Sequence, residues 1–315
     1  MSELHVVFGT GAIGRAVMET LLSRGKQVRM VNRSGRGKLP AGVKLLSGDA
    51  ADPSFARQAA EGASVVYNVL NPPYHQWPEL FPELQASVVE GAAAAGAKLV
   101  VMENVYMYGD PKGQPLTEDM PYAAHTKKGQ VRAQMSRDLI DAHEKGRLQV
   151  TIGRASDYFG PGGGVQSPLG DLVIGRALAG KSAQMIGNID MLHTYTYIPD
   201  IGRALVTLGE HDEAFGEAWH IPNSPVLTTR AIIERIYEAV GQPVRIQVAP
   251  KPLLWLMGRF DRTLGEIWEM LYEFEQPFVV DHGKYDKAFG DHATPLPDAL
   301  HATIDWHRQQ EVQPA

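Results

Sequence analysis

The first twenty-five residues constrain the fold more than any other part of the chain. Leu4-His5-Val6-Val7-Phe8 is a short apolar run of strand type, and Gly9-Thr10-Gly11-Ala12-Ile13-Gly14 follows it at once. Ile13, Val17 and Leu21 then recur at helical spacing, and Gly25 ends the segment. The glycines match G-x-G-x-x-G. In a chain with 32 glycines such a match can arise by chance, so the strand before it and the helix after it carry the reading. The first glycine allows a tight turn and the second lets backbone approach a pyrophosphate. The third lets helix and strand pack closely, while the helix N-terminus offers unpaired N–H groups and a positive dipole to phosphate. Gly9, Thr10, Gly11, Ala12, Ile13 and Gly14 are therefore expected to hold a dinucleotide.

The alternation continues. Gln27–Val31, Val43–Leu46, Ser64–Leu70, Leu99–Val105 and Leu148–Gly153 read as strands, separated by helical stretches at 54–61, 78–95 and 126–145. This order predicts an α/β fold: a Rossmann-type, doubly wound parallel sheet with helices on both faces. After Phe159-Gly160-Pro161-Gly162-Gly163-Gly164 the segments shorten and aromatic residues accumulate (Trp255, Trp268, Tyr272, Phe274, Phe278). The expected division is a dinucleotide-binding domain over 1–160 and a smaller α/β substrate region over 161–315, partly interwoven with it. His193, Tyr195 and Tyr197 alternate as on one strand face. Leu253, Leu256, Met257, Phe260, Leu264, Trp268 and Leu271 recur as on an amphipathic helix, read chiefly as core.

Composition removes several classes of function. The net charge is −6, and no basic cluster suggests nucleic acid or an anionic membrane as partner. No apolar run approaches the length of a membrane span, and no secretory leader is evident, so a cytoplasmic location is expected. The absence of cysteine excludes disulfides and thiolate chemistry. Eleven histidines form no His-Glu-x-x-His pattern, and no metal is expected. There is no G-x-S-x-G elbow. Glu103 and Asp157 are further carboxylates that could face a cleft, as bases or as loop caps.

The end of the second strand bears on which dinucleotide is bound. A site for NAD(H) usually has an acid there for the ribose hydroxyls. This chain has Asn32-Arg33-Ser34-Gly35-Arg36, a neutral residue followed by a guanidinium able to pair with a 2′-phosphate. NADP(H) is favoured over NAD(H), with Asn32, Arg33 and Ser34 at the adenosine end.

In several landmarks the chain resembles the extended short-chain dehydrogenase/reductase family, including its NAD-dependent epimerase/dehydratase group. They are Gly48-Asp49, Asn68-Val69-Leu70-Asn71, Val105-Tyr106-Met107-Tyr108-Gly109, Gly153-Arg154-Ala155-Ser156-Asp157-Tyr158-Phe159-Gly160-Pro161-Gly162 and Tyr197-Ile198-Pro199-Asp200-Ile201-Gly202-Arg203-Ala204. The resemblance implies that Asp49, with Ala50 beside it, borders adenine. It also implies that Asn68, Val69 and Leu70 line the cofactor and that Ser156 lies near the nicotinamide.

The family's chemistry uses a Tyr-x-x-x-Lys pair and an upstream Ser or Thr, and here that pattern is broken. In Tyr122-Ala123-Ala124-His125-Thr126-Lys127-Lys128, neither lysine has a tyrosine four positions before it. The resemblance assigns Lys128 to the nicotinamide ribose and puts Asn104 in the Ser/Thr position. Asparagine there can polarise an oxygen but relays protons poorly. Tyr106 and Tyr122 are the candidate proton donors, with Tyr108 also at the strand end. The expected activity is an NADP(H)-dependent oxidoreductase on a small carbonyl or hydroxyl substrate held between the two regions. An epimerase or dehydratase that recycles its cofactor is the alternative within the family; a non-catalytic dinucleotide sensor is the one outside it. A homodimer is compatible with the sequence.

Overall fold

The computed structural model describes residues 3–252, 265 and 268–312. Its centre is a seven-stranded sheet in the order β11-β6-β5-β4-β1-β2-β3, with every pairing parallel. The strands are β1 (Leu4–Phe8), β2 (Gln27–Asn32), β3 (Lys44–Ser47), β4 (Val65–Asn68), β5 (Lys98–Glu103), β6 (Val150–Arg154) and β11 (Ala218–His220). The connecting helices are α1 (Ala12–Ser23), α2 (Pro53–Ala60), α3 (Trp77–Ala94) and α4 (Lys127–Glu144). This is the doubly wound arrangement expected, and strand order reverses between β1 and β4, where such sheets bind ligands at the strands' carboxyl ends.

Both faces of the sheet are covered, which is why its strands read as apolar runs and not as alternating ones. Along β1, Val6 and Phe8 join one core with Val66, Leu99, Ile152, Ala56, Val88 and Leu139. Val7 joins the other, with Val17, Leu21, Met30, Tyr67 and Val100. The second core is closed by Ile201, Leu205 and Leu208 of α6 (Ile198–Glu210). α6 lies so close to α1 that a Cβ on Gly202 would stand 2.6 Å from the Ala16 carbonyl oxygen. Gly91 of α3 meets α2 in the same way, 2.6 Å from Ala56 O.

A third core organises the second half of the chain. A π-helical turn (Gly170–Gly175) running into α5 (Arg176–Leu178) contributes Val173, Ile174 and Ala177. α7 (Thr229–Val240) adds Ile232, Ile233 and Ile236, and α9 (Leu296–Val312) adds Leu296, Leu300 and Ile304. Three two-stranded ladders lie around this core. They pair β7 (Asp157–Phe159) with β10 (Tyr195–Tyr197), β9 (Leu192–His193) with β12 (Leu227–Thr228), and β8 (Ala183–Met185) with β13 (Ile246–Val248). β11 returns from this half to extend the large sheet beside β6. α8 (Gly283–Phe289) packs on β11, with Lys284 Nζ donating to Ala218 O at 2.9 Å.

Two expectations are corrected. The strand expected over Leu99–Val105 stops at Glu103, because Asn104 Oδ1 accepts from Tyr106 N and turns the chain into a 3₁₀ turn over Tyr106–Tyr108. The strand expected to carry His193, Tyr195 and Tyr197 is two strands broken at Thr194, each paired with a different partner. Thr194 N donates to Phe278 O there, and its hydroxyl accepts from Val280 N. Of the amphipathic stretch, Leu253 to Leu264 lie outside the described residues. Its end is a 3₁₀ turn over Leu271–Phe274, in which Leu271 is buried, while Trp268 is exposed.

Candidate active site

The glycine loop has the geometry its spacing implies. Gly9 sits at φ +115, a conformation that a side chain resists. A Cβ on Gly14 would lie 2.1 Å from Gly9 O, so only glycine lets the helix start so close to the strand. Gly11 differs: a Cβ there would meet nothing within 4 Å. Gly11 is the N-cap of α1, where no side chain caps the first N–H groups and no acid stands in the first turn. An open, N–H-lined and positively polarised space therefore faces the loop.

The surrounding turns close on this space. Val69 N donates to Phe8 O, and the Val69 side chain lies against Gly9. Asn68 is buried and accepts from Leu70 N at 3.3 Å. Gly162 leans over Ala12, so the glycine-rich turn after β7 forms the opposite lip. Ser156 is buried near this rim with an Oγ that has no hydrogen-bond partner. An orphaned hydroxyl and an open cradle both fit a dinucleotide.

At the adenosine end, Asn32 builds the loop that carries the basic residues. Its Nδ2 donates to Thr10 Oγ1 at 3.0 Å and to Arg36 O at 2.9 Å, and its Oδ1 accepts from Gly35 N at 2.7 Å. Ser34 Oγ accepts from Arg36 N. Arg33 and Arg36 are exposed, and Arg15, next to Gly14, reaches the same loop by donating to Lys38 O at 3.0 Å. Arg15 was not singled out from the sequence, though its position directly after the third glycine was the available signal. Asp49 is exposed, its carboxylate accepting from Ala51 N, and Ala50 is buried in the sheet core.

Lys128 enters the cleft from the first turn of α4, which Thr126 caps by accepting from Gly129 N. Lys128 is 2% exposed. Its Nζ donates to Glu269 Oε2 at 2.8 Å, its backbone N–H donates to Glu269 Oε1 at 3.2 Å, and its ammonium stands 5.4 Å from the Tyr74 ring centroid. The position four residues before it is Ala124, whose methyl packs against Gly129. Asn104 is half-exposed at the end of β5, with its oxygen engaged by Tyr106 N.

The three tyrosines fall into two groups. The Tyr106 hydroxyl lies 3.1 Å from that of Tyr74, beside Lys128. Tyr108 and Tyr122 belong to a separate buried network around Arg154 and Glu103, both fully buried. Arg154 Nε donates to Glu103 Oε2 at 3.1 Å, its Nη1 to Tyr108 at 2.6 Å, and its Nη2 to Ser136 Oγ at 2.6 Å and to Tyr122. Ser136 also donates to Glu103. His220 Nδ1 donates to Asp281 O at 2.8 Å, which leaves its Nε2 to accept from Tyr108 at 2.9 Å. Burial holds this imidazole down at about 3, so it is neutral. Glu103 thus pairs with Arg154 and does not face the cleft as an independent base. Asp157 pairs with His193 at 2.8 Å, and the imidazole stacks on Phe274.

Sequence reasoning missed Tyr74 and Glu269. Tyr74 could have been found, since Pro72-Pro73-Tyr74 follows a sheet strand at its ligand-binding end. Glu269 comes from a distant segment that only the fold brings onto Lys128.

Comparison with known proteins bears on the fold and the family. A curated relative from Mus musculus, sterol-4-alpha-carboxylate 3-dehydrogenase, decarboxylating, is 28% identical over 253 residues, covering 73% of this chain and 67% of its own. An epimerase from Methanothermobacter thermautotrophicus superposes with a TM-score of 0.82 at 16% identity, over 99% of this chain and 94% of its own. An enzyme of Bordetella bronchiseptica in complex with NAD+ gives 0.74 at 19% identity, over 98% and 99%. A sequence profile spans residues 6–221, from β1 through β11, and by that match the chain belongs to the NAD dependent epimerase/dehydratase family.

Proposed function

We propose that the protein is an NADP(H)-dependent oxidoreductase acting on a small carbonyl or hydroxyl substrate in the cleft above Lys128. The observation that carries the NADP(H) preference is the loop after β2. Asn32 replaces a ribose-binding acid and spends its side chain on holding the loop, while Arg15, Arg33, Arg36 and Lys38 gather around it. Guanidinium groups there suit a 2′-phosphate and have no comparable partner on a plain ribose.

Bound nicotinamide would supply or accept the hydride. The glycine loop would hold the pyrophosphate, the Asn68–Leu70 turn and Ser156 would border the nicotinamide half, and Lys128 would hold its ribose hydroxyls. That last role requires Glu269 to yield or share the ammonium. Asn104 Nδ2 would polarise the substrate oxygen, since only its Oδ1 is engaged by Tyr106 N. Tyr106 would stand closest to proton transfer. Tyr122, bonded to Arg154 and Ser136, would act on the site only by stiffening its wall.

The test is a screen of aldehydes, ketones and enones with NADPH, following loss of the reduced-nicotinamide absorbance. Turnover of at least one class, abolished in Lys128→Ala, is expected. Binding of NADPH without turnover of any carbonyl would overturn the reductase reading. An epimerase reading is kept by the family itself. It predicts oxidised dinucleotide released on denaturing the purified protein, whereas the reductase reading predicts free exchange.

A further inference from the structure

The inner end of the cleft holds hydrogen-bond donors that have no acceptor. Arg132 stands on α4 one turn after Lys128, on the same side of the helix. It is 5% exposed, and among the described residues its guanidinium makes no hydrogen bond or ion pair; its Nε is enclosed and unmatched. Its contacts are aromatic: the guanidinium carbon lies 4.3 Å from the Phe81 ring centroid and 5.1 Å from that of Trp77. Trp77 joins it to the cleft, since the same indole stands 5.0 Å from the Tyr74 ring and 6.0 Å from the Tyr106 ring. These rings form one cluster with Met135 and Met270. The Tyr74 and Tyr106 hydroxyls share a single hydrogen bond at 3.1 Å. One donates and the other accepts, so among the described residues one of the two O–H groups is left without an acceptor.

Charge is unbalanced in the same place. A guanidinium does not shed its proton, so Arg132 is a buried cation. Lys128 is matched by Glu269. Glu103 is the carboxylate that acts on Arg132, but its Oε2 is taken up by Arg154 and Ser136, and its Oε1 meets no donor. Two buried guanidinium groups therefore share one carboxylate. The aromatic faces offset part of the cost of burying the second. An apolar side chain in place of such a cation is often neutral or stabilising, so stability does not explain its presence.

We propose that Arg132 is the carboxylate-binding residue of the substrate site, and that the carbonyl substrate is an oxo acid. The forked N–H groups of Arg132 and the spare phenol O–H suit the two oxygens and single charge of a carboxylate; a phosphate dianion would call for a second unmatched cation. The cofactor's own phosphates belong at the glycine loop after β1, whereas Arg132 shares its helix with Lys128. Tyr74, half-exposed between Lys128 and Trp77, is the side chain that would turn to admit the acid. The inference rests on the reductase reading above and narrows its substrate.

Pyruvate, acetoacetate and levulinate, each against its methyl ester, test it with NADPH on the full-length protein. Wild type should prefer at least one acid over its ester in kcat/KM by about 30-fold or more, and Arg132→Met should remove that preference. Arg132→Lys should keep part of it, because a point charge replaces the fork. The urea midpoint of Arg132→Met should be unchanged or higher; a lower one would mark the arginine as packing and count against the proposal. Esters turned over as well as acids by wild type, or an acid preference surviving in Arg132→Met, would overturn it and leave the reductase reading standing. If wild type turns over neither, the reductase reading fails by itself, and calorimetric titration with the same three acids decides the anion site. Heat of binding to wild type that is absent from Arg132→Met supports the site, and no heat in wild type overturns it.

Discussion

Gly11 and Gly14 belong to one motif, yet the structure gives them opposite physical reasons, and alanine substitution separates them. At Gly14 a Cβ would lie 2.1 Å from Gly9 O and 2.9 Å from its carbonyl carbon, so backbone must move. Overpacking of this kind costs about 1–3 kcal/mol. At Gly11 the backbone is extended, with φ −70 and ψ −171, and nothing lies within 4 Å of a new methyl. Alanine there restricts the unfolded chain, a gain of about 0.4–1 kcal/mol. Against that stands the poorer N-cap, a loss of similar size, about 0.5–1 kcal/mol. Gly11→Ala should therefore leave stability nearly unchanged while its methyl fills the space the pyrophosphate needs. Urea melts should show a clear loss of midpoint for Gly14→Ala and little change for Gly11→Ala, whereas dinucleotide titration should show binding lost in both. Wild-type affinity in Gly11→Ala would refute the reasoning, because phosphate would then not approach that backbone.

Removing one member of the buried Arg154–Glu103 pair should cost far more. Arg154→Met strands a fully buried carboxylate, and a loss of about 3–5 kcal/mol is expected in the urea midpoint. Stability should also follow His220. Its pKa is depressed to about 3 in the fold, so the unfolded chain takes up a proton from about pH 6.5 downward while the native state does not. Its contribution is complete above that pH and is lost as pH falls toward 3, at up to about 1.4 kcal/mol per pH unit. Melts at pH 7 and 5 should show that slope reduced in His220→Gln. Glu269→Gln removes the carboxylate from Lys128, and tighter NADPH binding by titration is the expected result. Unchanged affinity would mean that Lys128 does not hold the ribose.

The fold was legible because its determinants are local. The run Val6-Val7-Phe8 is apolar on both faces, α1 repeats at helical spacing, and Gly25 stops it at φ +70, each visible within a few residues. The end of β5 was misjudged because Asn104 terminates it with a side-chain hydrogen bond that apolar patterning does not register. The cofactor loop could be read for the same local reasons as α1. The cluster around Lys128 could not, since it joins Tyr74, Tyr106, Lys128 and Glu269 across nearly 200 positions of chain. Nor could the sequence separate Tyr122 from Tyr106. They differ in what their hydroxyls touch, which depends on Arg154 arriving from β6.

The most direct test of the central claim is a paired titration of the wild-type protein with NADPH and NADH at one ionic strength. Charge-assisted bonds to the 2′-phosphate, each about 1.5–3 kcal/mol, predict NADPH binding at least about tenfold tighter. That margin should disappear in Arg33→Ser with Arg36→Ser. Equal or tighter binding of NADH by the wild type would contradict the account.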